Sequence, residues 1–71
     1  MGKIVDEREE IPFSELLLLL QSGLTVSHEA GSLAIMFTKT MSREQAFVAW
    51  AGCVGGRFVA REAGPSPKTA I

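Results

Sequence analysis

Residues 12–23 read Pro-Phe-Ser-Glu-Leu-Leu-Leu-Leu-Leu-Gln-Ser-Gly, with five leucines in a row at positions 16–20. Five consecutive helical positions, spaced about 100° apart, go round the whole helix, so one apolar stripe cannot hold all of these leucines. At least one leucine must face a second surface, which a sheet, a twin subunit or another protein would supply. The leucine block is also far shorter than the roughly 20 apolar residues that a membrane span requires.

Signals at both ends of the leucine block predict a helix of two turns over residues 15–22. Ser14 is a suitable N-cap, and Phe13 before it is placed to pack on Leu18 as a hydrophobic staple. Gly23 provides the C-terminal stop. Because a helix this short is not stable alone, it must pack on other elements.

Period-two alternation of apolar and polar side chains predicts a β-hairpin after this helix. Its strands are residues 24–28 and 33–38, and residues 29–32 form the turn. In the second strand the large apolar side chains stand at alternate positions and share one face. The hairpin therefore offers an apolar surface on which the leucine helix can pack.

A capping box, Ser-x-x-Gln at residues 42–45, predicts a second helix that ends at Gly55-Gly56. Trp50 is interpreted as a core residue, with a partner-binding anchor as the alternative. Residues 57–62 are rich enough in apolar and β-branched side chains for a third strand. Along the second helix, apolar side chains recur at helical intervals beside a strip of small residues, and small residues beside large aromatic ones indicate close approach to a sheet or another helix. The recurring residues are Phe47, Trp50, Ala51 and Val54, and the small strip is Ala46, Ala49 and Cys53.

These elements predict a small α+β single domain in the order helix-strand-strand-helix-strand, with a short antiparallel sheet. Residues 11–63 form the compact domain, residues 1–10 a flexible or edge-strand N-terminal arm, and residues 64–71 a flexible C-terminal tail. The 71 residues leave room for one modest core, and a hydrophobic share of 46% excludes a disordered chain.

The inventory of reactive side chains argues against an enzyme. The one histidine, His28, lies near the hairpin turn without a titratable partner, so we interpret it as a surface or edge residue. The one cysteine, Cys53, excludes an internal disulfide and is expected to be a buried structural thiol. The glycines of residues 52–57 lack the spacing of a phosphate-binding loop. We therefore expect no catalytic, cofactor-binding or metal-binding residues and no small-molecule substrate.

Charge is segregated along the chain, although the net charge is only −1. Residues 1–38 carry two basic and six acidic side chains, a balance of −4, whereas residues 39–71 carry five basic and two acidic, a balance of +3. Such a chain can orient a partner through complementary fields, although a solvated surface of uneven charge explains the pattern equally well. With no N-terminal signal and no membrane span in the sequence, we expect a cytoplasmic protein without a membrane partner.

Residues 59–70, Val-Ala-Arg-Glu-Ala-Gly-Pro-Ser-Pro-Lys-Thr-Ala, resemble the helix-turn-helix of the LacI-like repressors. In this resemblance Ala60 is the small residue of the first helix, Gly64 the turn and Ser66 the cap of the recognition helix. It implies a DNA-binding transcriptional repressor. Pro65 departs from the pattern at a buried apolar position, and the chain lacks an overall basic balance. Direct nucleic-acid binding is therefore the alternative rather than the expectation.

In its size, its mixed α/β pattern and its acidic N-terminal arm, the chain resembles the small phage-encoded regulators that bind bacterial RNA polymerase. The resemblance implies a non-enzymatic protein in the host cytoplasm that inhibits initiation or promotes antitermination by occupying a surface of its protein partner. A structural homodimer that buries the leucine block is a further alternative. From composition, the partner-binding residues are expected in the arm: Lys3, Ile4, Val5, Asp6, Glu7 and Arg8.

Overall fold

The computed structural model describes residues 4–62 and confirms the α+β class. Its four strands form one antiparallel sheet in the order β1-β4-β2-β3, and both helices pack on the same face. No helix within residues 4–62 is long and apolar enough to cross a membrane. The elements are β1 (Ile4–Arg8), α1 (Phe13–Gln21), β2 (Leu24–Ala30), β3 (Leu33–Phe37), α2 (Arg43–Ala51) and β4 (Arg57–Glu62).

The two halves of the chain interlock at the centre of the sheet. Since neighbouring strands are all antiparallel, β1 runs parallel to β2 with β4 between them, and β3 runs parallel to β4 with β2 between them. Helix α1 therefore connects β1 to β2, and helix α2 connects β3 to β4. Each of these crossovers leaves room for one strand between the two strands that it connects. The other half of the chain fills that gap, so the central β2–β4 pair joins residues that are far apart in sequence.

Helix α1 begins earlier than predicted, and its N-cap is Pro12. Two amides of the first turn donate to the Pro12 carbonyl, and no side chain caps the helix. The predicted Ser14 cap is therefore wrong, and so is the Phe13–Leu18 staple, because Phe13 packs on α2 instead. The predicted stop is confirmed, since Gly23 follows the C-cap with a φ of 89°, a value that favours glycine.

The leucine block is divided between the sheet and solvent. Leu16 and Leu20 are buried against the sheet, and Leu19 packs on the edge of the same core. Leu17 is half-buried, and Leu18 is exposed on the opposite side of the helix. The sheet therefore supplies the covering surface for the block, and one leucine remains at the surface of the chain.

The predicted hairpin is confirmed, but β2 runs two residues further than expected, to Ala30. The turn therefore contains just Gly31 and Ser32. Gly31 has a φ of 63° and takes the first central position, where type II′ hairpin turns place glycine. On the helix side of the sheet the hairpin contributes Val26 and Phe37, which are paired and fully buried.

Helix α2 begins as predicted, because the Ser42 hydroxyl accepts a hydrogen bond of 3.1 Å from the Gln45 amide. It ends at Ala51, before the predicted stop at Gly55-Gly56. Both glycines have positive φ, and a Cβ on Gly56 would collide with the carbonyl of Glu29 in β2. These glycines therefore do not end the helix. They allow the backbone to pass close to β2 as it enters β4.

The predicted third strand is confirmed as β4, and it lies in the centre of the sheet. Its Ala60 is buried in the core between β1 and β2. Residues 59–62 are therefore extended, and the first helix of the helix-turn-helix interpretation is wrong. Residues 63–71, where the rest of that motif and the predicted tail fall, lie outside the described residues.

Candidate protein-binding surface

Helix α2 turns its small side chains toward the sheet. Ala46 is buried in the core, and Ala49 and Cys53 pack on its edge, so the strip of small residues lies on the inner side of α2. The apolar residues that recur with Trp50 at helical intervals, Phe47, Ala51 and Val54, are all exposed. The reason is geometric, because a helix that approaches a sheet through alanine has no space for a phenylalanine on the same side.

The exposed large side chains of α2 form an apolar groove with Phe13 of α1. Phe13, Phe47 and Val48 line this open groove of about 730 Å³, and Arg43 and Glu44 stand at its rim. Phe47 is 49% exposed and Val48 is 70% exposed. We call these five residues the α2 patch. A half-exposed aromatic ring beside an aliphatic side chain, with charges at the rim, is the usual composition of a protein-binding surface.

Two aromatic contacts hold the Phe47 ring in place. The Phe13 ring meets it edge to face at a centroid distance of 5.2 Å, and the Trp50 ring lies 5.9 Å away. The Trp50 indole Nε1 donates a 2.9 Å hydrogen bond to the Ile11 carbonyl, which fixes the indole between the two helices. Trp50 is half-buried and packs on the core, as expected. Its ring also contacts the Phe13 and Phe47 rings of the patch. The exposed aromatic surface is therefore preorganised.

The structure places the predicted partner-binding residues in β1, at one edge of the sheet. Residues 4–8 pair with β4, with an irregularity between Ile4 and Asp6. Ile4 and Val5 are about half exposed. Lys3 lies outside the described residues.

The charged side chains of β1 are engaged within the domain. Arg8 binds Asp6 at 2.8 Å and also forms a short ion pair with Glu15 in the first turn of α1. The hydrogen bond from Arg8 lowers the pKa of the Glu15 carboxyl and raises the pKa of the guanidinium. On the other face of the sheet, Glu7 binds Arg57 at 3.3 Å. These contacts fasten β1 to α1 and β4.

The segregated charges of the sequence meet across the open face of the sheet. Arg57 and Arg61 of β4 lie between β1 and β2 and bind Glu29 at 3.5 Å and 3.9 Å. Val59 lies between these arginines on the same face and is buried, although α1 and α2, the two helices described within residues 4–62, pack on the other face. Acidic side chains of the first half of the chain thus bind basic side chains of the second half here. Much of the charge asymmetry along the sequence is therefore balanced by ion pairs within the domain.

His28 is 4% exposed, so the prediction of a surface or edge histidine is wrong. The strand continues past His28 and has β4 on one side and β3 on the other, which places the residue in the middle of the sheet. Its ring packs on Phe58 at 4.7 Å, and its Nε2 lies 2.6 Å from the Gly55 carbonyl. Because a carbonyl can only accept, Nε2 carries the proton, and His28 ties β2 to the loop before β4.

Cys53 lies just after α2 and is half-buried. Its thiol donates a hydrogen bond of 3.2 Å to the Ala49 carbonyl, and burial raises the pKa of the thiol. A thiol of this kind is protonated at neutral pH, and Cys53 is half-buried where a buried thiol was expected. Within residues 4–62 no group of three or more His, Cys, Asp or Glu side chains could hold a metal ion.

Comparisons of the chain with protein-family models, with curated proteins and with solved structures found no match. The α2 patch is therefore interpreted from its own geometry. The helical spacing of Phe47 with Trp50 did not by itself identify it as part of an exposed surface. A signal was present in the strip of small residues, because a helix that packs through Ala46, Ala49 and Cys53 must direct residues 47 and 48 outward.

Proposed function

We propose that this chain is a small non-enzymatic regulator that binds a protein partner through the α2 patch. The observation that carries the proposal is the Phe47 ring, which is half exposed yet held by Phe13 and Trp50. Burial of an aromatic side chain contributes strongly to binding, and a ring that is already fixed loses little conformational entropy when a partner covers it.

The rim of the patch indicates the chemistry of the partner surface. Arg43 and Glu44 carry opposite charges beside the apolar centre, so the patch has no net charge. A partner pocket that accepts Phe47 and Val48 and offers one acidic and one basic group at its edge would match it. Charges at a rim contribute more to orientation and specificity than to affinity.

The partner that we propose is bacterial RNA polymerase, and the proposed source of the chain is a phage or mobile element. The support for both is the resemblance in size, acidic N-terminal arm and mixed α/β pattern to small phage-encoded polymerase regulators. The regulator acts by occupying a surface of the host enzyme, and it inhibits initiation or promotes antitermination without chemistry of its own.

Binding of the full chain to purified bacterial RNA polymerase, followed by fluorescence anisotropy and single-round transcription, tests this proposal. We expect saturable binding and a change in transcript yield. Phe47→Ser should weaken binding at least about tenfold, because it removes the aromatic anchor. The matched control is Leu18→Ser, which changes an exposed apolar residue outside the α2 patch and should leave the affinity unchanged.

Two outcomes contradict the two parts of the proposal separately. Absence of binding to core enzyme and holoenzyme alike would reject the polymerase as partner. Binding that is equally strong for wild type and Phe47→Ser would keep the polymerase and reject the α2 patch as the contact surface.

A further inference from the structure

The two edges of the sheet are built differently. In β1 the pairing with β4 is irregular between Ile4 and Asp6, and three of its five residues are charged. In β3, residues 33–37, the pairing with β2 is regular, and the segment Leu-Ala-Ile-Met-Phe contains no charge and no proline. Charges and bulges are the devices by which natural sheets prevent their edges from pairing with other chains. The β1 edge has such devices, and the β3 edge lacks them.

The β3 edge also presents apolar side chains to solvent. Within residues 4–62 no strand pairs with β3 on the side away from β2. Leu33 is 74% exposed and Met36 is 55% exposed, one on each face of the sheet. Unpaired backbone groups and exposed apolar side chains therefore coincide along the same strand.

The sequence of β3 is complementary to itself in the antiparallel direction. If two copies pair about Ile35, Leu33 lies opposite Phe37, Ala34 lies opposite Met36, and Ile35 lies opposite its own copy. Every one of these cross-strand pairs is apolar, which stabilises an antiparallel ladder.

The β1 edge lacks this property. Pairing of two β1 strands about their central residue would place Asp6 opposite Asp6, and like charges directly opposite each other are destabilising. The charge pattern therefore favours self-pairing at β3 and opposes it at β1.

We propose that β3 pairs with β3 of a second copy of this chain, so that two four-stranded sheets form one continuous sheet of eight strands. Antiparallel pairing about Ile35 requires a two-fold axis perpendicular to the sheet. Both helix layers then lie on the same side of the joint sheet. Ala34 and Met36 of the two copies meet on the open side. This interface is independent of the α2 patch and of the proposed function.

Light scattering behind size exclusion, together with sedimentation equilibrium of the full chain, tests this interface. We expect a mass that rises with concentration to twice that of the 7.6 kDa chain. The double variant Ala34→Lys/Met36→Lys places like charges opposite each other twice in each dimer, and it should weaken self-association at least about tenfold. Both side chains are exposed, so the circular dichroism spectrum should be unchanged.

A second variant tests the register of the pairing. Met36→Glu sets a carboxylate opposite position 34 of the other copy. A mixture of this variant with the double lysine variant should therefore form a heterodimer. The matched control, Leu18→Lys/Val54→Lys, changes two exposed apolar residues outside β3 and should dimerise like the wild type.

Three results would overturn the proposal. The first is a wild type that is monomeric at every concentration, and the second is a double lysine variant that dimerises like the wild type. The third is a mixture of the lysine and glutamate variants that forms no heterodimer.

Discussion

Strand β1 and helix α2 are both fastened to the centre of this small domain, but different forces hold them. Strand β1 pairs with β4 and is further held by ion pairs from Arg8 and Glu7. Helix α2 is held by apolar packing of Ala46 and by the indole of Trp50. The strand thus uses its charges in contacts with the rest of the domain, whereas the helix leaves an apolar surface exposed. That surface is formed by Phe47 and Val48 of the α2 patch.

The largest loss of stability is expected when the packing of α2 is removed. Trp50→Ala deletes the side chain that joins α2 to Phe13 and Ile11, and Trp→Ala changes at such positions cost about 3–5 kcal/mol. Since a domain of this size has about 5 kcal/mol of stability in total, urea denaturation should show a partly unfolded variant in water. Val48→Ala, an exposed position on the same helix, should change the free energy of unfolding by about 0.5 kcal/mol or less. Equal effects of the two variants would contradict packing as the force that holds α2.

A smaller effect, dependent on pH, is expected when the charge contact of β1 is removed. The pKa of Glu15 is lowered in the folded state by its hydrogen bond with Arg8, so its contribution to stability is fully present above the unfolded pKa of about 4.5. It is lost as the pH falls through the lower folded value. Glu15→Gln should therefore have a lower melting temperature than wild type at pH 7, and the two melting temperatures should converge in acid.

The control for the Glu15→Gln experiment is Glu10→Gln, which changes an exposed carboxylate between β1 and α1. Its melting temperature should follow that of the wild type across the pH range. High salt should also reduce the difference between wild type and Glu15→Gln, because partly exposed ion pairs are screened. A difference between wild type and Glu15→Gln that does not depend on pH would show that β1 is not held by this ion pair.

The local signals of the sequence predicted the class and most elements of the fold. The Ser42 cap, the Gly23 stop and the alternation on either side of Gly31 each act within a few residues, so they can be recognised without knowledge of the rest of the chain. The order of the strands could not be recognised in this way. It depends on β4 entering between β1 and β2, which brings together residues about 30 to 55 positions apart.

The errors in the candidate site have the same origin. His28 was assigned to the surface because it lies near the predicted hairpin turn without a titratable partner, but β2 continues past it and pairs with β4. The exposure of Phe47 was not predicted, because its helical spacing with Trp50 does not show which side of α2 faces the core, and Ala46 is the residue buried there. In residues 59–62 the predicted strand pairs with two strands, which excludes the helix of the alternative helix-turn-helix resemblance. Each error concerns an interaction between distant segments.

The β1 arm remains the competing surface for the partner, and a matched pair of double variants decides between it and the α2 patch. Phe47→Ser/Val48→Ser and Ile4→Ser/Val5→Ser each remove two side chains that are about half exposed or more. The affinity of these two variants for purified bacterial RNA polymerase is the most direct test of our account. We predict that the α2 variant loses about a hundredfold in affinity while the β1 variant stays within about threefold of wild type. A loss confined to the β1 variant, or absence of binding by the wild type, would contradict it.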